Sequence, residues 1–521
     1  MKMVTLMKHY LTLFVLIFAV CLFTAGCLSS DRFGDEKVLV VGEMWTITDI
    51  DPVLEGTTVS EKMIVTETLV GANDKFELTP SLAVNWTQIN ETVWEFKLRE
   101  GVKFHNGREM TAEDVKASLE KSIELSPAVA SLLECEEITV VDKYTFRIRT
   151  KELNPLVPGI LHYPSTAIFA PETYSASGKL VKLIGTGPMK FDSFNNRTGE
   201  VILIKNTNWW GGTPGFDKLI LRGYSNPMTR SMVIETGSVD ITFDPPYSEV
   251  NRLAAIDGIR VEKYNTPRIY KVDVNLNNTN MADPNVRKAI SYAIDRPGIV
   301  EHVLYNVGSP AGGAFLPTMA WANTDLEPYA YDPVLAKQYL AASGWTDTNG
   351  DGYVDKNGEA LRVKMYTYIE RPGLPPMQEV IASNLRSIGI EVEEVAMEYN
   401  TMAAEMADSN WDLYLAAINL AMVPDPEYVL KGWYMTNSPS NTAGYSNPIV
   451  DQMIIDGHYI TDTEERYDHF RKIEKIVYDD LPTINIAYYG VAIVMKDDVS
   501  GFVFDPTAHD YRIHPFMTIE S

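Results

Sequence analysis

The feature that most constrains this chain is an apolar run that ends in a cysteine. Leu11 to Phe23 is 13 residues without a charge, preceded by Lys2 and Lys8 and followed by Thr24-Ala25-Gly26-Cys27. A helix needs roughly 20 apolar residues to span hydrocarbon, so the run is too short to cross a bilayer. A basic start, an apolar middle and a small-residue cleavage site read instead as a secretory signal over residues 1–26, with Cys27 becoming the lipidated first residue of the mature chain. Residues 27–37, which include Ser29, Ser30, Asp31, Gly34 and Asp35, read as a polar tether. This limits how the protein can be held together. Cys21 leaves with the signal and Cys27 carries lipid, so Cys135 is the one thiol left and no disulfide forms within the mature chain.

Stability must therefore come from packed cores, and 495 residues exceed what one core supports, so at least two domains are expected. The formal charge of -25 becomes -27 once the two signal lysines are removed. A chain this acidic, with its cations scattered, is not a general nucleic-acid binder, because that affinity comes from neutralising phosphates. No later apolar stretch is long enough to span a membrane.

Strand and helix signals are mixed throughout. Val38-Leu39-Val40-Val41 suits a buried strand, and Val93 to Leu98, Tyr144 to Ile148 and Val201 to Ile204 suit partly covered ones. Thr111 with Asp114 three residues on marks a helix start. Asp283-Pro284 and Asp332-Pro333 each place a capping acid before proline at the first helical position. A helix over Met377 to Ile388 is stopped by Gly389, strands follow at Ile390 to Val395 and Trp411 to Ile418, and a long helix over Glu464 to Tyr478 precedes the apolar run Ile484 to Tyr488. Alternating helix and strand predicts an α/β fold with mostly parallel sheets.

Local motifs for catalysis or bare metal are weak. A secreted hydrolase would need a nucleophile with its base, paired carboxylates or a metal site, and no local motif supplies one. The seven histidines of the mature chain form no i,i+3 or i,i+4 pair suited to zinc. One segment resembles a calcium loop: Asp347, Asn349, Asp351, Tyr353 and Asp355 fall at positions 1, 3, 5, 7 and 9, with Gly352 at position 6. Position 12 is Gly358, and Glu359 comes one residue late, so the alternative is an Asx- and Gly-rich turn without metal.

Several longer segments together resemble the extracytoplasmic solute-binding proteins of peptide/nickel-type ABC importers, family 5. They are Leu78-Thr79-Pro80-Ser81-Leu82-Ala83, Trp94 to Gly107 with Thr111-Ala112-Glu113-Asp114-Val115, Gly185-Thr186-Gly187-Pro188, Val286 to Arg296, and Asn441 to Pro448. The resemblance covers nearly the whole mature chain. It implies a two-lobed periplasmic-binding-protein-like fold of type II, with an extra subdomain inserted in the first lobe and solute trapped between lobes. On that reading residues 38–265 begin lobe I, with the insertion at about 51–180, residues 266–480 form lobe II, and residues 481–521 return to lobe I. The implied protein is a monomeric receptor that needs no cofactor, and it hands its solute to membrane permease subunits served by separate ATPase subunits.

Solute contacts are then expected where strands end beside the crossing segments. Met44 and Trp45 follow the first strand. Asn419, Met422 and Asp425 follow the Trp411 strand, and Trp433, Asn441 and Tyr445 form a third group. His162 and Tyr163 come from the insertion. His105, by contrast, is expected to be a turn or packing residue. The solute is expected to be nickel within a metal chelate, or a peptide. Tyr368-Ile-Glu-Arg371-Pro372-Gly-Leu374-Pro375 resembles an Arg-Pro-x-Leu-Pro segment of the nickel relatives. Those relatives also carry an arginine in the segment matching His162 to Ala167, which has none here, and peptide-binding relatives carry an aspartate where Met422 stands.

Overall fold

The computed structural model describes residues 36–54, 58–408, 411–507 and 511–520. The signal over 1–26, Cys27 and most of the tether lie outside the described residues.

Two unusually long strands, Ile259–Val274 and Thr483–Lys496, organise the molecule. They run antiparallel along their whole length, with register shifts between Asn265 and Ile269 and between Tyr270 and Lys271. Pro267 supplies no amide hydrogen and lies inside the first break, where a continuous ladder would be interrupted in any case. On one side of the break, Thr483–Lys496 continues through Ile241–Phe243 to Val38–Glu43, Lys218–Gly223, Glu200–Lys205 and Met189–Asn195. On the other side, Ile259–Val274 continues to Leu413–Asn419, Arg362–Tyr368 and Glu391–Met397. One sheet therefore feeds two bodies. Leu39, Val41, Leu219, Ile241 and Ile493 lie in one hydrophobic core, and Val272, Ile290, Met365, Leu385 and Leu413 in another.

The sheet is mixed, which corrects the mostly parallel expectation. Val38–Glu43 is parallel to both its neighbours, as is Arg362–Tyr368. The crossing strands and the Met189 to Gly223 meander are antiparallel. The chain leaves the first body on one crossing strand and returns on the other, which forces opposite directions there.

A separate four-stranded antiparallel sheet, Ala83–Asn90, Val93–Leu98, Thr145–Thr150 and Cys135–Asp142, packs beneath the helix Ala112–Leu125 with its own core of Phe96, Val115, Leu119 and Phe146. The helix begins as expected, with the Thr111 hydroxyl and amide both donating to the Asp114 carboxylate at 2.8 and 2.9 Å. The Asp-Pro starts likewise cap their helices: Asp283 accepts from the Asn285 amide at 2.9 Å and Asp332 from Leu335 at 2.8 Å. Gly389 takes φ +93° just beyond the helix Leu374–Ser387, a conformation that side chains with a Cβ avoid.

His105 staples this subsidiary sheet to the first body. Its Nδ1 accepts from the Gly185 amide at 3.2 Å and its Nε2 donates to the Gly187 carbonyl at 3.0 Å. Burial pushes the imidazole down to about 4, so it acts as a neutral hydrogen-bonding wedge. The Gly185-Thr186-Gly187 segment lies against backbone so closely that a Cβ on Gly187 would come 2.2 Å from the Ile64 carbonyl oxygen. Gly187→Ala is expected to cost about 1–3 kcal/mol through overpacking, read as a lower denaturation midpoint; an unchanged midpoint would contradict this account of the segment.

Candidate functional site

Near the break in the crossing strands, elements from the two bodies converge. Glu61, His162, Pro164 and Thr507 stand on one side of a narrow gap, with Asn419, Ala421 and Met422 on the other. The second side exists because Leu413–Asn419 pairs along Ile259–Val274 and places Asn419 opposite Arg268, after which the Leu420 amide donates to the Pro267 carbonyl at 2.7 Å. The Asn419 side chain folds over this turn and accepts from the Ala421 amide at 2.8 Å. Met422, half-buried, follows with a polarisable, flexible thioether.

The first side is charged, with Glu61 buried and Arg512 and Asp505 partly so. Arg512 donates to Asp505 at 2.8 Å and to Glu61 at 3.2 Å. Burial alone would raise Asp505, but the Arg512 charge and the bonds from Thr507 hold it below the usual carboxylate range. Burial lowers the His162 imidazole, and the nearby Arg512 charge adds to that effect. Its Nδ1 lies 3.3 Å from the Val70 carbonyl.

Glu61, His162 and Pro164 also wall a cavity of about 270 Å³ that extends into the first body past Thr66, Glu67 and Trp209. Glu67 accepts from the Thr186 hydroxyl at 2.7 Å and from the indoles of Trp209 and Trp210 at 3.1 and 3.0 Å. Burial nevertheless raises its carboxyl above the ordinary value.

The floor of the interlobe region is a relay. The Arg371 guanidinium sits 5.8 Å from the Trp45 ring and donates to the Tyr489 hydroxyl at 3.3 Å, which in turn donates to Asp244 at 2.6 Å. Arg371 comes from the second body and Trp45 and Asp244 from the first, while Tyr489 is on a crossing strand.

The expected contacts therefore separate. His162, Asn419 and Met422 meet at the gap. Trp45 lies on Arg371, and Met44 is buried behind it with its amide donating to Glu43 at 2.9 Å. Tyr163 packs against the core of the inserted sheet. Asp425 is committed elsewhere: it caps the helix Pro426–Tyr434 by accepting from the Glu427 amide at 2.8 Å, and it holds Arg466 through two bonds of 2.9 and 3.1 Å. This replaces the expected role of a carboxylate open to a cargo amine.

The third group is internal to the second body. The Asn441 amide is spent on its own loop, donating to the Met435 and Tyr445 carbonyls and accepting from the Tyr445 amide. Tyr445 donates to Asp480 at 2.5 Å, and Trp433 lies under the Lys271 ammonium at 3.9 Å.

The calcium-like segment also turns on itself. Asp347 accepts from the Gly350 and Gly352 amides, Asp351 from Tyr353, and Asp355 from the Thr348 amide and hydroxyl. Glu359 lies in a short hairpin with Lys356. Among the described residues no three His, Cys, Asp or Glu side chains are grouped to hold a metal.

Sequence reasoning missed Glu61, Thr507 and Arg512; Glu61 and Arg512 pair across 451 residues of chain, and Thr507 meets His162 and Asn419 only through the fold. Arg371 was visible within the Arg-Pro-Gly-Leu-Pro segment but was not assigned a place.

Two bodies joined by paired crossing strands, with a gap walled by both, define a two-lobed binding protein of the periplasmic type. Residues 77–441 match the family described as bacterial extracellular solute-binding proteins, family 5 Middle, and the chain belongs to that family. It is a solute-binding protein of an ABC importer and acts outside the cytoplasm; it is a binding protein, not an enzyme. It is 26% identical over 500 residues to the nickel-binding protein NikA of Staphylococcus aureus, covering 95% of this chain and 97% of NikA. The solved structure of that NikA with Ni(L-His)2 superposes with a TM-score of 0.78 at 25% identity, covering 93% of this chain and 100% of the other. The glutathione-binding protein GsiB of Escherichia coli is 25% identical over 493 residues, covering 90% of this chain and 92% of GsiB. NikA of Brucella suis in complex with Fe(III)-EDTA shares the fold at a TM-score of 0.83 and 23% identity, covering 91% and 99%.

Proposed function

We propose that this protein captures a compact metal chelate, with nickel as the cargo metal, between its lobes and delivers it to a membrane permease powered by separate ATPase subunits. The observation that carries the reading is a small chamber in the first body that shares Glu61, His162 and Pro164 with the narrow gap between the lobes. A cavity of about 270 Å³ lies just below the usual range of small-molecule sites, and its wall includes His162 and the Arg512–Glu61 ion pair, which make it polar and charged. Such a volume suits a metal held by small amino-acid-like chelators better than a long peptide. The commitment of Asp425 to Arg466 also removes the nearest carboxylate that a peptide amino terminus would seek.

In this reading the metal is bound through its chelator and is not stripped by protein ligands. Solute bridging both lobes favours the closed arrangement, with movement concentrated at the break around Pro267. The mature chain works as a monomer tethered by lipid on Cys27.

Isothermal titration of the purified mature protein with nickel plus excess L-histidine, and separately with glutathione and a mixed dipeptide library, tests the assignment. Saturable one-to-one binding of the nickel mixture, with nickel alone ineffective, is expected. Binding of the peptides in its place would replace the cargo with a short peptide.

A further inference from the structure

The helix Pro448–His458 ends at the boundary between the lobes, and its last residue bridges them. His458 Nδ1 lies 2.7 Å from the Glu427 carboxylate within its own lobe, and Nε2 lies 2.7 Å from the Leu153 carbonyl of the inserted subdomain. Both partners only accept. A neutral imidazole has a single N–H and serves one of them, whereas the imidazolium donates to both at once. We propose that His458 is a proton-dependent clasp: when charged it ties the inserted subdomain to the second lobe and so tightens solute binding without touching the solute.

The surroundings fit a device of closure. Two apolar contacts cross the same boundary. Phe76 of the first lobe is buried in a second-lobe core and meets Trp321 edge-on at 6.3 Å, while Val423 of the second lobe is buried in the core of the inserted sheet, its Cγ1 only 3.2 Å from where a Cβ on Gly159 would stand. These hold at any pH, as does the bond from the Ala320 amide to the Lys75 carbonyl at 3.2 Å beside them, whereas His458 serves both of its partners only when protonated.

The groups facing His458 within the second lobe are Glu427, whose other oxygen accepts from Arg466 at 2.7 Å, Lys431 at 3.6 Å from Glu427, Asp425 across Arg466, and the Tyr459 ring. From the first lobe it meets the Leu153 carbonyl, flanked in sequence by exposed Lys151 and Glu152.

The hydrogen bond to Glu427 raises His458 above 6.5 despite the opposing effect of burial. A raised value means that the stabilisation is complete below the ordinary histidine range and is lost as pH rises through the closed-form value. Burial shifts His105, His162 and His514 the opposite way, so their titrations fall on the acid side of that window.

The inference rests on the closing motion of the proposed function but not on the identity of the cargo. It is tested by titrating the mature wild type and His458→Gln with nickel plus excess L-histidine from pH 6 to pH 8.5. Taking the ratio of the two affinities at each pH cancels changes in the nickel complex itself. Wild type is expected to bind about three- to ten-fold more tightly at pH 6, with the ratio falling to near one by pH 8.5. A ratio that does not change with pH overturns the clasp. If the nickel mixture binds neither protein, the cargo reading fails separately, and the clasp is decided by electron-spin distances between labels on Asn90 and Lys337 in the unliganded chain. An open population that grows from pH 6 to pH 8.5 in wild type but not in His458→Gln supports it, and identical distributions overturn it.

Discussion

Arg466→Leu is expected to destabilise the second lobe by about 3–5 kcal/mol. Arg466 is buried on the helix Thr463–Asp480 and donates to both Asp425 oxygens, to Glu427 and to the Gly457 carbonyl. A leucine is too short to fill the space and leaves the partly buried Asp425 and the buried Glu427 carboxylates facing each other without the guanidinium between them. Burial already raises Asp425, and the Arg466 charge is the largest influence opposing it. Losing that charge means either protonating an acid or drawing in water, and both cost stability near neutral pH. Because the pair joins the starts of two helices, the effect should appear as an early transition in a thermal melt followed by circular dichroism. A loss below about 1 kcal/mol, the range of surface ion pairs, would contradict the buried arrangement.

Met422→Arg is expected to abolish solute capture, weakening affinity at least about 100-fold, while leaving the melting midpoint within about 2 °C of wild type. Met422 is half-buried and lies on a turn whose backbone is held by neighbouring residues, so an arginine costs the isolated lobe little. In the closed arrangement, however, the guanidinium would enter a gap already shared with His162, Pro164 and Thr507, close to the Arg512 charge. It must then remain in water, which holds the lobes apart, or stay buried in a space with no room for it. Both outcomes oppose closure over solute. Affinity within threefold of wild type would move the cargo site away from this junction.

How much was legible depended on how far apart the interacting residues lie. Helix starts are local: the Asp283 and Asp332 carboxylates each accept from an amide two or three residues on, and Asp114 accepts from the amide and hydroxyl of Thr111 three residues before it. Longer motifs revealed the family and with it the two-lobed plan. The mixed sheet was not legible, because each strand pattern reports burial and not direction. The junction between the lobes is built from pairs such as Glu61 with Arg512 beside the gap and Leu153 with His458 away from it, separated by 451 and 305 residues, and no local pattern announces those. The bonds that Asn441, Tyr445 and Asp425 make within the second lobe are hidden from the sequence for a related reason. Amides, phenols and carboxylates suited to a cargo are equally suited to securing loops, and here Met435, Asp480 and Arg466 are already in reach. In the calcium-like segment the Asp355 carboxylate accepts from the Thr348 amide and hydroxyl and Asp347 from the Gly350 and Gly352 amides, bonds that spacing along the chain does not specify.

The most direct test of capture between two lobes is the mass spectrum and elemental content of material retained by gently purified mature protein, compared with Met422→Arg prepared in parallel. The account predicts nickel near one equivalent with an intact small chelator on wild type, and neither on the variant. Equal retention by both proteins, or release of a chemically altered ligand, would contradict it.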